Sequence, residues 1–105
     1  MQYKLDTPLL RLNPGYAYNW VDIDFEGNCL AVPEGFDDYY LDPPWNDVIS
    51  SAAYPYSTSE YKAYALCEDI YYGGDKWVLI KGAESEDFFG EVNFNDMASS
   101  VCWGK

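Results

Sequence analysis

The sequence WNDVISSAAY at 45–54 is echoed by FNDMASS at 94–100. Both copies begin with an aromatic residue, continue with Asn-Asp and two variable residues, and then reach Ser-Ser. A polar pattern that occurs twice at this length, in a chain of 105 residues, indicates an internal duplication. The two copies therefore predict a fold built from two similar units.

The duplication extends upstream of each copy, into WVDIDFEGNCLAV at 20–32 and CEDIYYGGDKWVL at 67–79. An offset of 47 residues aligns seven pairs: Asp22 with Asp69, Ile23 with Ile70, Phe25 with Tyr72, Gly27 with Gly74, Asn28 with Asp75, Leu30 with Trp77, and Gly35 with Gly82. The offset is 49 residues at the Asn-Asp pairs, so the second unit carries two additional residues before its copy.

Each unit is predicted to run from a strand through an aromatic-x-Gly turn, a second strand, a loop and the Asn-Asp site to a final strand. The turn glycine supplies a backbone angle that β-branched residues resist. The runs CLAV at 29–32 and KWVLI at 76–80 are rich in strand-forming residues. A short helical or 3₁₀ turn is expected only in the loops at 34–47 and 82–96, because Pro43 and Pro44 exclude a longer helix in the first. Short strands at this spacing predict an all-β sandwich.

A chain of this length supports one domain with a modest core. We expect residues 1–105 to form a single domain with an N-terminal arm at 1–15, a first motif at 16–54, a connector at 55–64 and a second motif at 65–105. The arm, which contains Pro8, Pro14 and Gly15, is expected to be extended.

The composition is acidic and aromatic: the net charge is −12, there is no histidine, and aromatic residues make up 19% of the chain. This much aromatic surface argues against a disordered chain. The charge argues against binding to nucleic acid or to anionic membranes and favours binding of cations. A merely solvated acidic surface is the alternative interpretation.

Three cysteines, Cys29, Cys67 and Cys102, do not complete a disulfide framework, and no CxxC spacing suggests zinc. The N-terminal residues contain no apolar run of the length that a signal peptide or membrane span requires. The sequence therefore predicts a cytoplasmic protein with reduced thiols.

The Asn-Asp-x-x-Ser-Ser pattern offers amide, carboxylate, carbonyl and hydroxyl oxygens within one short loop. Calcium takes roughly six to eight such oxygens and tolerates irregular geometry, and surrounding carboxylates add attraction. The alternative is a turn in which Asn, Asp and Ser bond their own backbone. Two copies at equivalent positions, in a chain this acidic, favour a metal site.

The paired units resemble the two Greek-key motifs of a βγ-crystallin domain. That family carries an aromatic-x-Gly hairpin turn and, in its microbial calcium-binding members, the signature Asn/Asp-Asn/Asp-x-x-Ser/Thr-Ser. NDVISS at 46–51 and NDMASS at 95–100 match the signature at every specified position. The resemblance covers about residues 16–104. One departure is Cys67, which stands where the hairpin of the second motif is expected to begin with an aromatic residue, as Trp20 does in the first.

The resemblance implies two Ca²⁺ ions, each held by loops from both motifs. It assigns to one site Val21, Asn46 or Asp47, Val48 and Ser99. It assigns to the other site Glu68, Asn95 or Asp96, Met97 and Ser50. Five further carboxylates are close enough in sequence to add charge or a ligand: Asp22, Asp24, Asp69 and the pair Asp37 and Asp38.

Nothing in the sequence selects a catalytic site: without histidine there is no Ser-His or Cys-His dyad, and YYGGDK at 71–76 lacks the spacing of a phosphate loop. The stretch DDYYLDPPW at 37–45 is typical both of a protein-binding rim and of a closing sandwich edge, so an unidentified protein partner is one of two interpretations. The leading hypothesis is a non-catalytic calcium buffer or sensor. The alternative is a secreted peptidase inhibitor or toxin-like protein of the same fold, for which a Cys67–Cys102 disulfide would be expected.

Overall fold

Two antiparallel sheets form a β-sandwich in the computed structural model, which describes residues 13–42, 45–85 and 97–105. The strands are β1 (Tyr16–Asp22), β2 (Glu26–Pro33), β3 (Ser51–Ala53), β4 (Ala63–Cys67), β5 (Lys76–Ile80), β6 (Glu84–Ser85) and β7 (Ser100–Gly104). One sheet has the order β2-β1-β3-β6 and the other the order β5-β4-β7. No α-helix occurs in the described residues. The predicted all-β Greek-key sandwich is confirmed; residues 1–12 of the predicted arm lie outside the described residues.

The two motifs exchange their third strands. In the second motif, β6 crosses to the first sheet, where Ser85 pairs with Ala52 of β3. In the first motif, Asp38 crosses to the second sheet and pairs with Val101 of β7. These two pairings are related by the same offsets of 47 and 49 residues that the sequence shows. The duplication therefore produces two interlocked Greek keys rather than two independent hairpins.

Each motif begins with a hairpin whose turn contains a short 3₁₀ segment, Ile23–Phe25 in the first and Ile70–Tyr72 in the second. The prediction that such a turn belongs in the loops at 34–47 and 82–96 is therefore wrong for the described parts of those loops. The physical reason is that the chain reverses within the aromatic-x-Gly turn, where two successive residues adopt left-handed angles in each motif. Loop residues 43–44 and 86–96 lie outside the described part of the chain.

The predicted role of the turn glycine is confirmed. Gly27 has φ +82° and Gly74 has φ +74°. A Cβ at Gly27 would lie 2.6 Å from Oδ2 of Asp22, and a Cβ at Gly74 would lie 2.8 Å from Oδ2 of Asp69. Only glycine provides both the backbone angle and the space for the aspartate that folds over the turn.

The core lies between the two sheets and is filled mainly by small aliphatic residues and two tyrosines. Its buried members are Ala17, Val32, Leu41, Ile49, Ala52, Tyr54, Tyr64, Leu66, Leu79, Ala98 and Val101. One polar group also joins the sheets: Asn19 is fully buried, donates to the Leu30 carbonyl at 3.0 Å and accepts the Tyr64 hydroxyl at 2.9 Å. Because both ends of its side-chain amide are hydrogen-bonded, Asn19 links the two sheets and has no oxygen free to bind a metal ion.

The segment between β3 and β4 is anchored to the first motif through Glu34. One oxygen of Glu34 accepts hydroxyl hydrogen bonds from Tyr54 at 2.5 Å, Ser57 at 2.8 Å and Ser59 at 2.7 Å. Lys81 of the second motif lies 4.0 Å from the same oxygen. Although burial opposes it, these hydroxyls and the Lys81 charge hold the pKa of Glu34 below its usual value. The carboxylate therefore stays charged and connects both motifs.

Candidate metal centre

The two Asn-Asp-x-x-Ser-Ser loops meet where the motifs join. The first forms a turn, in which Asp47 adopts a left-handed conformation with φ +59°. The Asp47 amide donates to the Ala98 carbonyl of the second loop at 2.9 Å. Asp is one of the few residues that tolerate this conformation, which explains its place in the pattern.

The first loop also receives a side chain from the second motif. Ser99 donates its hydroxyl to Oδ1 of Asp47 at 3.0 Å. These residues are 52 positions apart in sequence, and the resemblance had assigned both to one site. The structure therefore brings together a carboxylate and a hydroxyl from different motifs.

Asn46 contributes an oxygen that suits a cation. Its Oδ1 is buried and has no hydrogen-bond partner among the described residues. A buried carbonyl oxygen left without a donor costs about 1–3 kcal/mol. Calcium binds amide oxygens of this kind. The unpaired oxygen beside Asp47 thus fits a metal ion better than it fits a closed turn.

The hairpin of the first motif lies against the same loop. Val21 and Asp22 end strand β1, and the Ser50 amide, within the loop, donates to the Trp20 carbonyl at 2.8 Å. Val48 belongs to the loop turn itself. The end of the hairpin strand is therefore hydrogen-bonded to the loop that contains Val48, and the Val21 and Val48 assignments remain predictions.

Within the described residues, no three Asp, Glu or Cys side chains converge as a metal-binding group. An ion at this place would rely on carbonyl and hydroxyl oxygens together with a single carboxylate. Such a donor set suits calcium, which accepts neutral oxygens, and does not suit zinc, which prefers nitrogen and sulfur.

Of the residues assigned to the second site, Asn95 and Asp96 lie outside the described residues. Glu68 follows β4, where its amide donates to the Asp75 carbonyl at 2.8 Å and its side chain accepts the Asp75 amide at 3.2 Å. Met97 is half-buried against the core. The Glu68 and Met97 assignments remain predictions.

The additional carboxylates have structural contacts of their own. Oδ1 of Asp38 accepts the Tyr40 amide at 3.1 Å. The side chains of Asp22 and Asp69 fold over the turn glycines, as described above. Their contribution to either metal site stays a prediction.

The second serine of each Ser-Ser pair binds the turn of a hairpin, a role that the sequence analysis did not predict. Ser51 donates to the Asp22 carbonyl at 2.7 Å and accepts the Phe25 amide at 3.1 Å. Ser100 repeats this with the Asp69 carbonyl at 2.7 Å and the Tyr72 amide at 3.0 Å. The signal was present in the sequence, because both copies carry two serines and the implied metal site uses only the first.

The three cysteines are free thiols in the structure. Cys67 lies on β4 and Cys102 on the neighbouring strand β7. Cys67 pairs with Ser100 and Cys102 pairs with Ala65, so the two cysteines are not directly opposite each other. Burial, and then the adjacent Cys67, raises the pKa of Cys102 to about 11. Neutral thiols at neutral pH are poor nucleophiles. Among the described residues, no disulfide joins Cys67 to Cys102.

No helix of the described residues has the length and apolar character needed to cross a membrane.

No protein-family model and no curated protein matches the sequence. Solved structures do. A structure from work on the evolution of the eye-lens βγ-crystallin domain fold has a TM-score of 0.72 at 22% identity, covering 90% of this chain and 89% of that one. The βγ-crystallin of Ciona intestinalis has a TM-score of 0.67 at 21% identity, covering 84% and 98%. A βγ-crystallin from an archaeon has a TM-score of 0.66 at 21% identity, covering 86% and 98%. At these identities the likeness concerns the fold, and the chain has the βγ-crystallin fold.

Proposed function

We propose that this protein is a non-catalytic calcium binder that holds two Ca²⁺ ions and acts as a cytoplasmic calcium buffer or sensor. The observation that carries the proposal is the meeting of the two loops: Ser99 of one motif contacts Asp47 of the other, and Oδ1 of the adjacent Asn46 is buried with no donor among the described residues. In a loop that served only as a turn, we would expect this buried oxygen to accept a hydrogen bond.

The first ion would be held by the side chain of Asn46 or Asp47, the Ser99 hydroxyl and the carbonyls of Val48 and Val21. The second would be held by the equivalent residues of the other motif pair: Glu68, Asn95 or Asp96, Met97 and Ser50. None of these oxygens must lose a proton at pH 7 to bind a cation. Calcium supplies positive charge at the contact between the motifs.

The acidic charge of the chain supports this function. Two Ca²⁺ ions bring four positive charges to a protein of net charge −12, and so reduce repulsion within the folded state. Since each proposed site draws on both motifs, only the folded chain presents a complete set of ligands. Calcium should therefore stabilise the fold, by about 2.7 kcal/mol when free calcium is a hundred times the dissociation constant.

Calorimetric titration of chelator-stripped protein, in millimolar magnesium, tests the proposal. We expect two bound calcium ions per chain. Two single variants form a matched pair: Ser99→Ala should weaken binding at the first site, and Ser50→Ala should weaken binding at the second. Both variants should remain folded, because each removes only one hydroxyl and leaves the adjacent serine, Ser51 or Ser100, hydrogen-bonded to its hairpin turn. We call Ser51 and Ser100 the clamp serines.

The outcomes separate the models of the loops. The proposal would be overturned if titrating the folded protein with calcium released or absorbed no heat and calcium left its melting temperature unchanged. If calcium binds at two sites but neither serine variant changes the affinity of either site, the ligand assignment is wrong. Affinities in the range of cytoplasmic calcium concentrations are required for a buffer or sensor.

A further inference from the structure

An exposed pair of tyrosines lies where the crossing segment of the first motif meets the second hairpin. The rings of Tyr39 and Tyr71 stack with centroids 4.8 Å apart and planes inclined by 24°. Tyr39 is 51% exposed and Tyr71 is 67% exposed. Stacked rings that remain in water contribute little to the core, so this tyrosine pair needs another explanation.

The tyrosine pair is held in place by backbone contacts. The Tyr71 amide donates to the Tyr39 carbonyl at 2.8 Å. Next to Tyr39, Asp38 exchanges two backbone hydrogen bonds with Val101, at 2.9 and 3.0 Å. Leu41 donates to the Ser99 carbonyl at 2.9 Å. The rings are therefore presented on a fixed framework.

Tyr71 also adopts an unusual conformation. Its φ is +57°, in the left-handed region that a bulky side chain rarely occupies. A bulky residue in this conformation is strained, and strained residues recur at ligand-binding positions. Asp24 occupies the equivalent position in the first motif with φ +58°, so the fold accepts a smaller polar residue there.

Two carboxylates, Asp37 and Asp38, directly precede Tyr39 in the chain. Asp37 is held by the Trp103 amide, which donates to its Oδ1 at 2.9 Å, and Asp38 is held by the Tyr40 amide. Burial raises the pKa of Tyr72, and the nearby charges of Asp37 and Asp38 raise it further. The neighbouring Lys76 donates its ammonium to the Tyr72 carbonyl at 2.8 Å. The surface thus combines aromatic faces with two held carboxylates and one ammonium that is already bound to a backbone carbonyl.

We propose that the Tyr39–Tyr71 pair binds an arginine-bearing segment of another protein. A guanidinium group is planar, stacks on aromatic faces and forks onto carboxylates, which a lysine ammonium cannot do. Charge complementarity selects this occupant: a second copy of the chain, itself at −12, would bring acid against acid. The binding surface does not require calcium.

The probe is an acetylated and amidated peptide of sequence Gly-Arg-Gly-Arg-Gly, titrated into ¹⁵N-labelled protein and followed by NMR. We expect the largest shift changes at residues 37–40 and 70–72. Tyr71→Asn should raise the dissociation constant about fivefold or more, the equivalent of one cation–π contact. Asparagine accepts the left-handed angle, so the turn should persist.

The matched control is Tyr56→Asn, which removes a tyrosine that is 71% exposed and already has the Lys81 ammonium over its ring at 5.7 Å. It should leave peptide binding unchanged. A peptide with citrulline in place of arginine, which keeps the shape and removes the charge, should not bind.

Three results would overturn the proposal: no binding of the arginine peptide, equal binding by Tyr71→Asn, or equal binding of the citrulline peptide. Self-association that covers the tyrosine pair, seen by sedimentation, would also overturn it. The titration is run both in chelator and in calcium. Binding in chelator upholds this inference even if the chain binds no calcium, so the two proposals fail separately.

Discussion

The two hairpin corners of the molecule have the same backbone and different side-chain packing. Both contain two left-handed residues, a turn glycine and a serine that clamps the turn. In the first corner Phe25 packs edge-on against Trp20, with ring centroids 5.2 Å apart and planes at 71°. In the second, the place of Trp20 is taken by Cys67, which is fully buried, and the counterpart of Phe25 is Tyr72, which is half-buried. The comparison indicates that serine and glycine define the corner, whereas the aromatic contact can be replaced.

The largest effect is expected from removing the ring that one corner has and the other lacks. Trp20→Ala should destabilise the protein by about 3–5 kcal/mol, because Trp20 is 8% exposed and carries the Phe25 contact. Cys67→Ala, the matched change, should cost only about 1 kcal/mol, since it removes one small buried group. Urea unfolding monitored by circular dichroism measures both. Equal costs would show that the two corners depend on packing to the same degree.

An intermediate effect is expected from the serine clamps. Ser51→Ala and Ser100→Ala each leave one amide and one carbonyl of a corner without a partner, at a cost of about 1–3 kcal/mol. Because the hydrogen-bond distances of the two clamps agree closely, the two costs should match to within about 0.5 kcal/mol. Thr58→Ala, at an exposed position, is the control. If only one clamp variant loses stability, the corners do not share a backbone mechanism.

The smallest effect sharpens the difference in aromatic packing. Phe25→Asn and Tyr71→Asn place the same residue at two left-handed positions, with φ +60° and +57°. Both changes relieve similar strain, but only the first removes a contact with a buried tryptophan. We expect a loss of about 1–2 kcal/mol for Phe25→Asn and a change below about 1 kcal/mol for Tyr71→Asn. Thermal unfolding of the two proteins tests this, and a larger loss for Tyr71→Asn would assign its ring a structural role.

Local rules in the sequence explain why the fold class could be predicted. The turn glycines Gly27 and Gly74 predicted positive φ angles at these two positions, and the structure confirms them. The position of the 3₁₀ segments was mispredicted, because left-handed angles at residues such as Phe25 and Tyr72 contradict the preferences of those residue types. Here the clamp serine and the hairpin overrule local preference.

The candidate metal site shows the same limit. The family resemblance assigned Asp47 and Ser99 to one metal site; the structure shows their side chains in hydrogen-bond contact, and the metal role stays a prediction. No local feature showed that Oδ1 of Asn46 would be buried without a donor, or that Ser51 would clamp the hairpin turn. Both depend on which loop packs against which, and that is decided by the exchange of third strands.

The sequence by itself determined the duplication, the strands, the turn glycines and the acidic charge, because each follows from residue type and short-range spacing. Only the tertiary structure decided that Asp38 pairs with Val101, that Ser99 reaches Asp47 and that Tyr39 stacks on Tyr71. These contacts join residues that lie 32 to 63 positions apart. The physical reason is that such pairs are selected by the packing of two sheets around one core, a property of the whole chain that no short segment contains.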